Sequence, residues 1–207
     1  MTTTITFGDQ AENHVGMQKL GDMADEGFSY EDLKNAKDIF ENKGYVCELI
    51  KLHNLVTEKN MEYDKDVYAQ IQKAYLLIIR EGVKAFKINE DNLNSELSAL
   101  EWDTKAKMYG RVVDKHARYN LCFDEDGQEP DYPNGKGRIV AFDDVPLLKK
   151  LRRRLPKFFG PKAMELVAEG NLYYDTSKCG IGYHGDSERR KVIALRLGES
   201  MQLCYRW

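Results

Sequence analysis

His184-Gly185-Asp186 is the strongest chemical signal in the sequence. In an extended segment, side chains two apart project to the same side, so an imidazole and a carboxylate at this spacing can take adjacent positions on one metal ion. Two histidines and a carboxylate on one face of iron(II), with the opposite face open, is an arrangement that uses such a pair. A structural histidine beside a turn aspartate has the same spelling, so H-x-D alone leaves both readings open. The cysteines Cys47, Cys122, Cys179 and Cys204 show no C-x-x-C spacing. That argues against a zinc knot and for free thiols in a reducing, intracellular compartment, cytoplasmic or nuclear.

The elements that must position the motif follow from periodicity. Asn171 to Tyr174 and Val192 to Leu197 read as strands flanking a Gly-rich loop, Cys179 to Gly185. Upstream, Asp143 and Asp144 open a helix with Leu147, Leu148, Leu151 and Leu155 on one face, ended by Pro156, and Pro161 to Ala168 predicts a second short helix. The other face of the first helix carries Lys149, Lys150, Arg152, Arg153 and Arg154, which suits either solvent or phosphate. Gly110 to Arg138 is polar and punctuated by glycine and proline, and is expected to be a long functional loop. Tyr75 to Ile79 predicts a strand entering a new domain, and Leu93, Leu97 and Leu100 a helix after it.

Nearer the start, Ser29-Tyr30-Glu31-Asp32 has the form of a capping box, and Leu33, Ala36, Ile39 and Phe40 continue at helical spacing up to Gly44. Tyr45 to Leu55 is a second apolar element and Thr57 to Asp66 a connector. Residues 1–68 are therefore expected to form a small, acidic, mainly helical extension, and residues 70–207 the main domain. No apolar run approaches the roughly 18 residues of a membrane span, so no membrane partner is expected. The net charge of -3 hides an asymmetry: residues 1–104 carry 11 Lys and Arg against 20 Asp and Glu, and residues 105–207 carry 20 against 14. A basic half suits a polyanion such as DNA or RNA, or simply attracts the acidic half.

The stretch Asn171-Leu172-Tyr173, a short loop, His184-Gly185-Asp186, Glu188, and then Val192 to Gly198 resembles the AlkB family of iron(II)/2-oxoglutarate dioxygenases. The resemblance covers residues 70–207, more weakly before Asn171, and leaves residues 1–68 unplaced. It implies an α+β fold with a double-stranded β-helix, or jelly-roll, oxygenase core. It implies Fe(II), 2-oxoglutarate and O2 as cofactor and co-substrates, with hydroxylation or oxidative demethylation of a nucleic-acid base as the leading activity. Residue by residue, His184 and Asp186 match two metal ligands, Asn171 and Tyr173 the pair that hydrogen-bonds 2-oxoglutarate, and Glu188 an acidic residue that reads the target base. Lys115 to Tyr119 resembles the start of a nucleotide-recognition lid, which puts Arg118 and Tyr119, with Arg152 and Arg153, among the expected substrate contacts. His116 is read as a lid or surface residue, and His14 and His53 as structural.

One departure matters. The family's distal histidine and its 2-oxoglutarate-binding arginines follow H-x-D by several strands, whereas no histidine follows His184 here. The expectation is a jelly-roll apparently incomplete within these residues, inactive alone, and completed by a partner chain or a missing C-terminal segment. A non-catalytic binding module finished by another chain is the alternative, as is an oxygenase acting on protein or a small metabolite.

Overall fold

Thr2-Thr3-Thr4-Ile5-Thr6-Phe7 is a run of β-branched and aromatic residues that alternates after Thr3, and it forms a strand inside the main sheet. The structure, a computed structural model, describes residues 1–59 and 71–206. The elements are β1 (Thr2–Gly8), β2 (Gln10–Asn13), β3 (Gln18–Gly21), α1 (Tyr30–Glu41), β4 (Cys47–Lys51), α2 (Leu52–Lys59), β5 (Tyr75–Ile79), α3 (Glu90–Ser98), β6 (Lys105–Met108), β7 (Arg111–Asp114), β8 (Tyr119–Asp124), β9 (Ile139–Ala141), α4 (Pro146–Arg152), α5 (Pro156–Phe159), β10 (Val167–Tyr173) and β11 (Ile193–Gly198). Five strands form one sheet in the order β11-β1-β10-β8-β9, and β2–β3, β4–β5 and β6–β7 form two-stranded ribbons. Within the sheet only β8 and β9 run parallel. The fold is mixed α+β, and among the described residues the sheet does not close into a barrel. No helix there is long and apolar enough to cross a membrane.

The pleat divides the sheet into two unlike faces. Ile5 and Phe7, Leu121 and Phe123, Ala168 and Leu197 face the main core, where Phe40 of α1, Leu93 and Leu97 of α3, Leu148 and Leu151 of α4, and Leu155 bury their side chains. The other face carries Thr2, Thr4, Thr6, Glu169, Asn171, Tyr173 and Asn120. At one end, β2–β3 covers this second face through a small cluster of Ala11, Leu20, Cys122, Ile139 and Val167.

Several expectations need correction. Residues 1–68 are not a mainly helical extension: β1 lies between β10 and β11, and helix begins only at Tyr30. Gly110 to Arg138 is not one long loop, since it holds β7 and the largely buried β8. Pro161 to Ala168 forms a single 3-10 turn at Pro161–Ala163 before β10 starts at Val167, because strand pairing with β1 and β8 outweighs a short helical pattern. The expected connector at Thr57 to Asp66 is helical to Lys59, and its remainder lies outside the described residues. The capping box at Ser29 is present: Ser29 Oγ accepts from the Asp32 amide at 3.2 Å, and the Asp32 carboxylate accepts from the Ser29 amide at 2.8 Å.

Gly170 sits in mid-strand because the ring of Trp102 closes over it: a Cβ there would lie 3.0 Å from two ring carbons and 3.1 Å from Phe123. Gly170→Ala is expected to destabilise the protein by about 1–3 kcal/mol through overpacking, read as a lower melting temperature with unchanged net charge. An unchanged melting temperature would mean that Trp102 is free to move away.

Candidate functional site

Strand alternation on β10 aims Glu169, Asn171 and Tyr173 at the polar face. Register sets them in rows across the sheet. Arg196, Thr4, Asn171 and Asn120 are successive partners on β11, β1, β10 and β8. Asn171 Oδ1 accepts from Asn120 Nδ2 at 2.6 Å and from Arg118 Nε at 2.7 Å, and its Nδ2 donates to Glu169 at 3.1 Å. Tyr173 is buried, which pushes its phenol upward against the opposing pull of the Arg118 and Arg196 charges. Thr4 Oγ1 is buried without a hydrogen-bond partner among the described residues.

Glu169 is the centre of the charge network. Burial alone would raise its carboxyl, but the hydrogen bond and charge of His14 and the Arg189 guanidinium outweigh that and hold it down to about 2. His14 Nε2 lies 2.9 Å from Glu169 Oε1, and Arg189 Nη2 donates to Oε2 at 2.6 Å. Arg189 also reaches Glu188 at 2.5 and 3.0 Å and lies 3.5 Å from Asp186. Nearby, Lys115 Nζ is buried with no hydrogen-bond partner, and desolvation, opposed by the Asp103 carboxylate, lowers it to about 8.

His184 and Asp186 stand on the loop between β10 and β11, with His184 Nε2 3.5 Å from Asp186 Oδ1. His184 Nδ1 is 2.8 Å from the Gly182 carbonyl, so with the proton on Nδ1, Nε2 keeps its lone pair on the Asp186 side. A backbone acceptor on the far ring nitrogen is how metal-bound histidines are commonly oriented. The pair suits two adjacent ligand positions in donor type and separation. A third donor is wanting: among the described residues no group of three His, Cys, Asp or Glu side chains is placed to hold an ion. The set therefore falls short of a complete facial triad.

Other expected site residues are dispersed. Arg118 is held to Asn171 and so belongs to the polar face rather than to a separate lid. Tyr119 turns to the core side of the sheet and stacks on Tyr174, with centroids 4.5 Å apart. Glu188 is ion-paired to Arg189 and mostly covered, so it is not a free reader of base edges. Arg152 is buried, donating to the Leu166 carbonyl and Glu125 at 2.5 Å each and lying over the Phe142 ring at 4.2 Å, which removes it from phosphate contact. Lys149, Lys150 and Arg154 likewise bind Asp143, the Lys87 carbonyl and the Phe86 carbonyl, while Arg153 is exposed on the helix-covered side. Sequence reasoning missed Glu169, Asn120 and Arg189 and placed Lys115 only within the lid-like segment, while His14, read as structural, is a partner of the buried Glu169. Glu169 was within reach, since it stands two residues before Asn171 on the same strand. His14 had no local signal, because its partner is 155 residues away.

The chain is 50% identical over 206 residues to the uncharacterized protein R156 of Acanthamoeba polyphaga mimivirus, a match spanning 100% of this chain and 78% of the viral protein. No family model matches the sequence, and no solved structure matches it significantly.

Glu169 fixes a pH dependence. Its folded value of about 2 lies below the ordinary 4.5, so its contribution to stability is complete above about pH 4.5 and is lost as pH falls towards 2. Glu169→Gln is expected to flatten the fall in melting temperature over that window. At neutral pH it should cost about 3–5 kcal/mol by leaving the Arg189 charge without its main partner. A variant whose acid profile matches the parent would remove Glu169 from the centre of the network.

Proposed function

The chain belongs to the family of mimivirus protein R156, and we propose that it is an iron(II)- and 2-oxoglutarate-dependent dioxygenase with a jelly-roll core of the AlkB kind. The observation that carries this reading is the position of His184 and Asp186, 3.5 Å apart on the loop that joins β11 to the strand bearing Asn171 and Tyr173. On this reading His184 and Asp186 hold the iron. The Tyr173 hydroxyl and the Asn171 amide offer hydrogen bonds to a carboxylate of 2-oxoglutarate, and Arg118, fixed to Asn171, adds positive charge beside them. Iron(II), when bound, supplies the oxygen activation that couples conversion of 2-oxoglutarate and O2 to succinate and carbon dioxide with hydroxylation of a substrate C–H bond. A sheet with one face under helices and the other polar supports this reading, as one layer of such a core would have those two faces.

The proposed substrate is a methylated or alkylated nucleic-acid base, extruded from its stack to reach the polar face. The basic helix adds little to this, because Arg152 is internal. A second reading, a binding module finished by another chain, is favoured by an apolar cleft of about 870 Å³ between β5 and the edge strand β11, lined also by Leu203 and Tyr205. The test is succinate formation from 2-oxoglutarate with iron(II) and ascorbate, using the protein of the full reading frame. His184→Ala is expected to abolish turnover, and Asn171→Ala to raise the KM for 2-oxoglutarate about 10-fold or more, as loss of a pocket hydrogen bond does. No succinate formation in the parent would favour the binding module, whereas formation indifferent to His184→Ala would remove His184 from the iron. Turnover stimulated by protein or a metabolite, but not by methylated oligonucleotides, would reassign the substrate.

A further inference from the structure

The geometry points to Arg189 as the positioning residue of the site, a single buried guanidinium that fixes the His184–Asp186 pair relative to the polar face. The inference rests on the reading of that pair as metal-holding. The loop has little else to order it. Gly180, Gly182 and Gly185 have no atom within 4 Å of where a Cβ would stand, so the loop is not packed at those points. Its ends are pinned by their backbone amides: that of Gly180 donates to the Ala117 carbonyl at 3.1 Å, and those of Arg190 and Lys191 donate to the Asp9 carboxylate at 3.0 and 2.8 Å. Between these pins, His184 and Asp186 are partly exposed, at 51% and 33% of their side-chain surface.

Arg189 spans the interval. Its side chain is 4% exposed, and three carboxylates from two different elements surround it: Glu169 of β10 at 2.6 Å, Glu188 at 2.5 Å and Asp186 at 3.5 Å. The guanidinium fork suits this, since Nη2 serves Glu169 and Glu188 while Nε serves Glu188 and faces Asp186. A lysine at this site keeps the charge but has one nitrogen in place of a planar fork. Nη1 is buried and unpartnered, so the side chain holds its place through Nη2 and Nε alone. With Glu169 next to Asn171 on the same face, Arg189 links the proposed metal pair to the proposed 2-oxoglutarate pair.

The experiment measures Mn(II) binding by the loss of the free-ion resonance signal, together with amide hydrogen exchange over residues 181–188, in the protein of the full reading frame. The variants are Arg189→Met, Arg189→Lys, Glu169→Gln and His184→Ala. The expected result is Mn(II) binding abolished by His184→Ala and weakened roughly 10–100-fold by Arg189→Met, as for loss of an outer-shell partner. Exchange should quicken across 181–188 in Arg189→Met but not in the central sheet, and Arg189→Lys should fall between. Arg189→Met with parental Mn(II) affinity and parental exchange overturns the proposal while leaving the metal reading intact. If the parent's Mn(II) binding is absent or insensitive to His184→Ala, the metal reading fails. Exchange alone then decides whether Arg189 anchors the loop, quickened exchange sustaining the anchor and unchanged exchange overturning it. Should Arg189→Met not fold, Arg189→Lys and Glu169→Gln are read in its place, and parental exchange in both overturns the anchor.

Discussion

The ion pair between Glu169 and Arg189 is the interaction on which the polar half of the molecule depends. Both side chains are almost fully out of water. Two charges taken from water are recovered only where the geometry is good and the remaining donors and acceptors are met. Here His14 and Asn171 complete the carboxylate, and Glu188 shares the guanidinium, of which Nη1 alone stays without a partner among the described residues. The arrangement ties residues 12 to 14, the centre of β10 and the loop after it into one electrostatic unit. A buried pair of this kind is weak evidence for stability by itself and better evidence for conformational specificity, since few alternative packings would satisfy the same charges.

The sheet makes that unit possible. Its core face takes up the apolar surface of α1, α3 and α4, which leaves the opposite face free to carry polar side chains at regular spacing. Rows one residue wide bring Arg196, Thr4, Asn171 and Asn120 together although they come from positions 4 to 196 of the chain. Asn171 thus has its oxygen taken up by Asn120 and Arg118 and one amide hydrogen by Glu169, which holds its amide in one orientation and leaves the second amide hydrogen outside these bonds.

Legibility in the sequence followed the range of the interactions. The capping box at Ser29, the strand at Tyr75–Ile79 and the helix at Glu90–Ser98 are local, and each could be read from spacing. The adjacency of His184 and Asp186 was legible for the same reason. Residues 2–8 carried a strand pattern, but nothing local says that they insert between two strands from the far end of the sequence. The polar face was half legible: N-x-Y could be read, whereas its partners Asn120, Arg118 and His14 arrive through register and ribbon packing. Gly110 to Arg138 misled because β8 lies among turn formers, and burial rather than composition makes it a strand.

The charge asymmetry shows how a sequence-level quantity changes meaning once partners are known. The second half of the chain is basic, which suggests a surface for polyanions. Arg152 lies in the core under Phe142, Lys149 and Lys150 bind neighbours, Arg138 forks to Glu101 and Glu129, and Arg189 sits among three carboxylates. Much of that positive charge neutralises acidic groups or caps carbonyls within the fold, so net charge overstates the field available to a ligand. What the polar face presents instead is local: Arg118 and Arg196 on either side of Tyr173, with Lys115 close behind and neutralised more readily than an exposed lysine. An anion meeting this face would be held by a few oriented donors near the sheet, an arrangement that suits a carboxylate at short range.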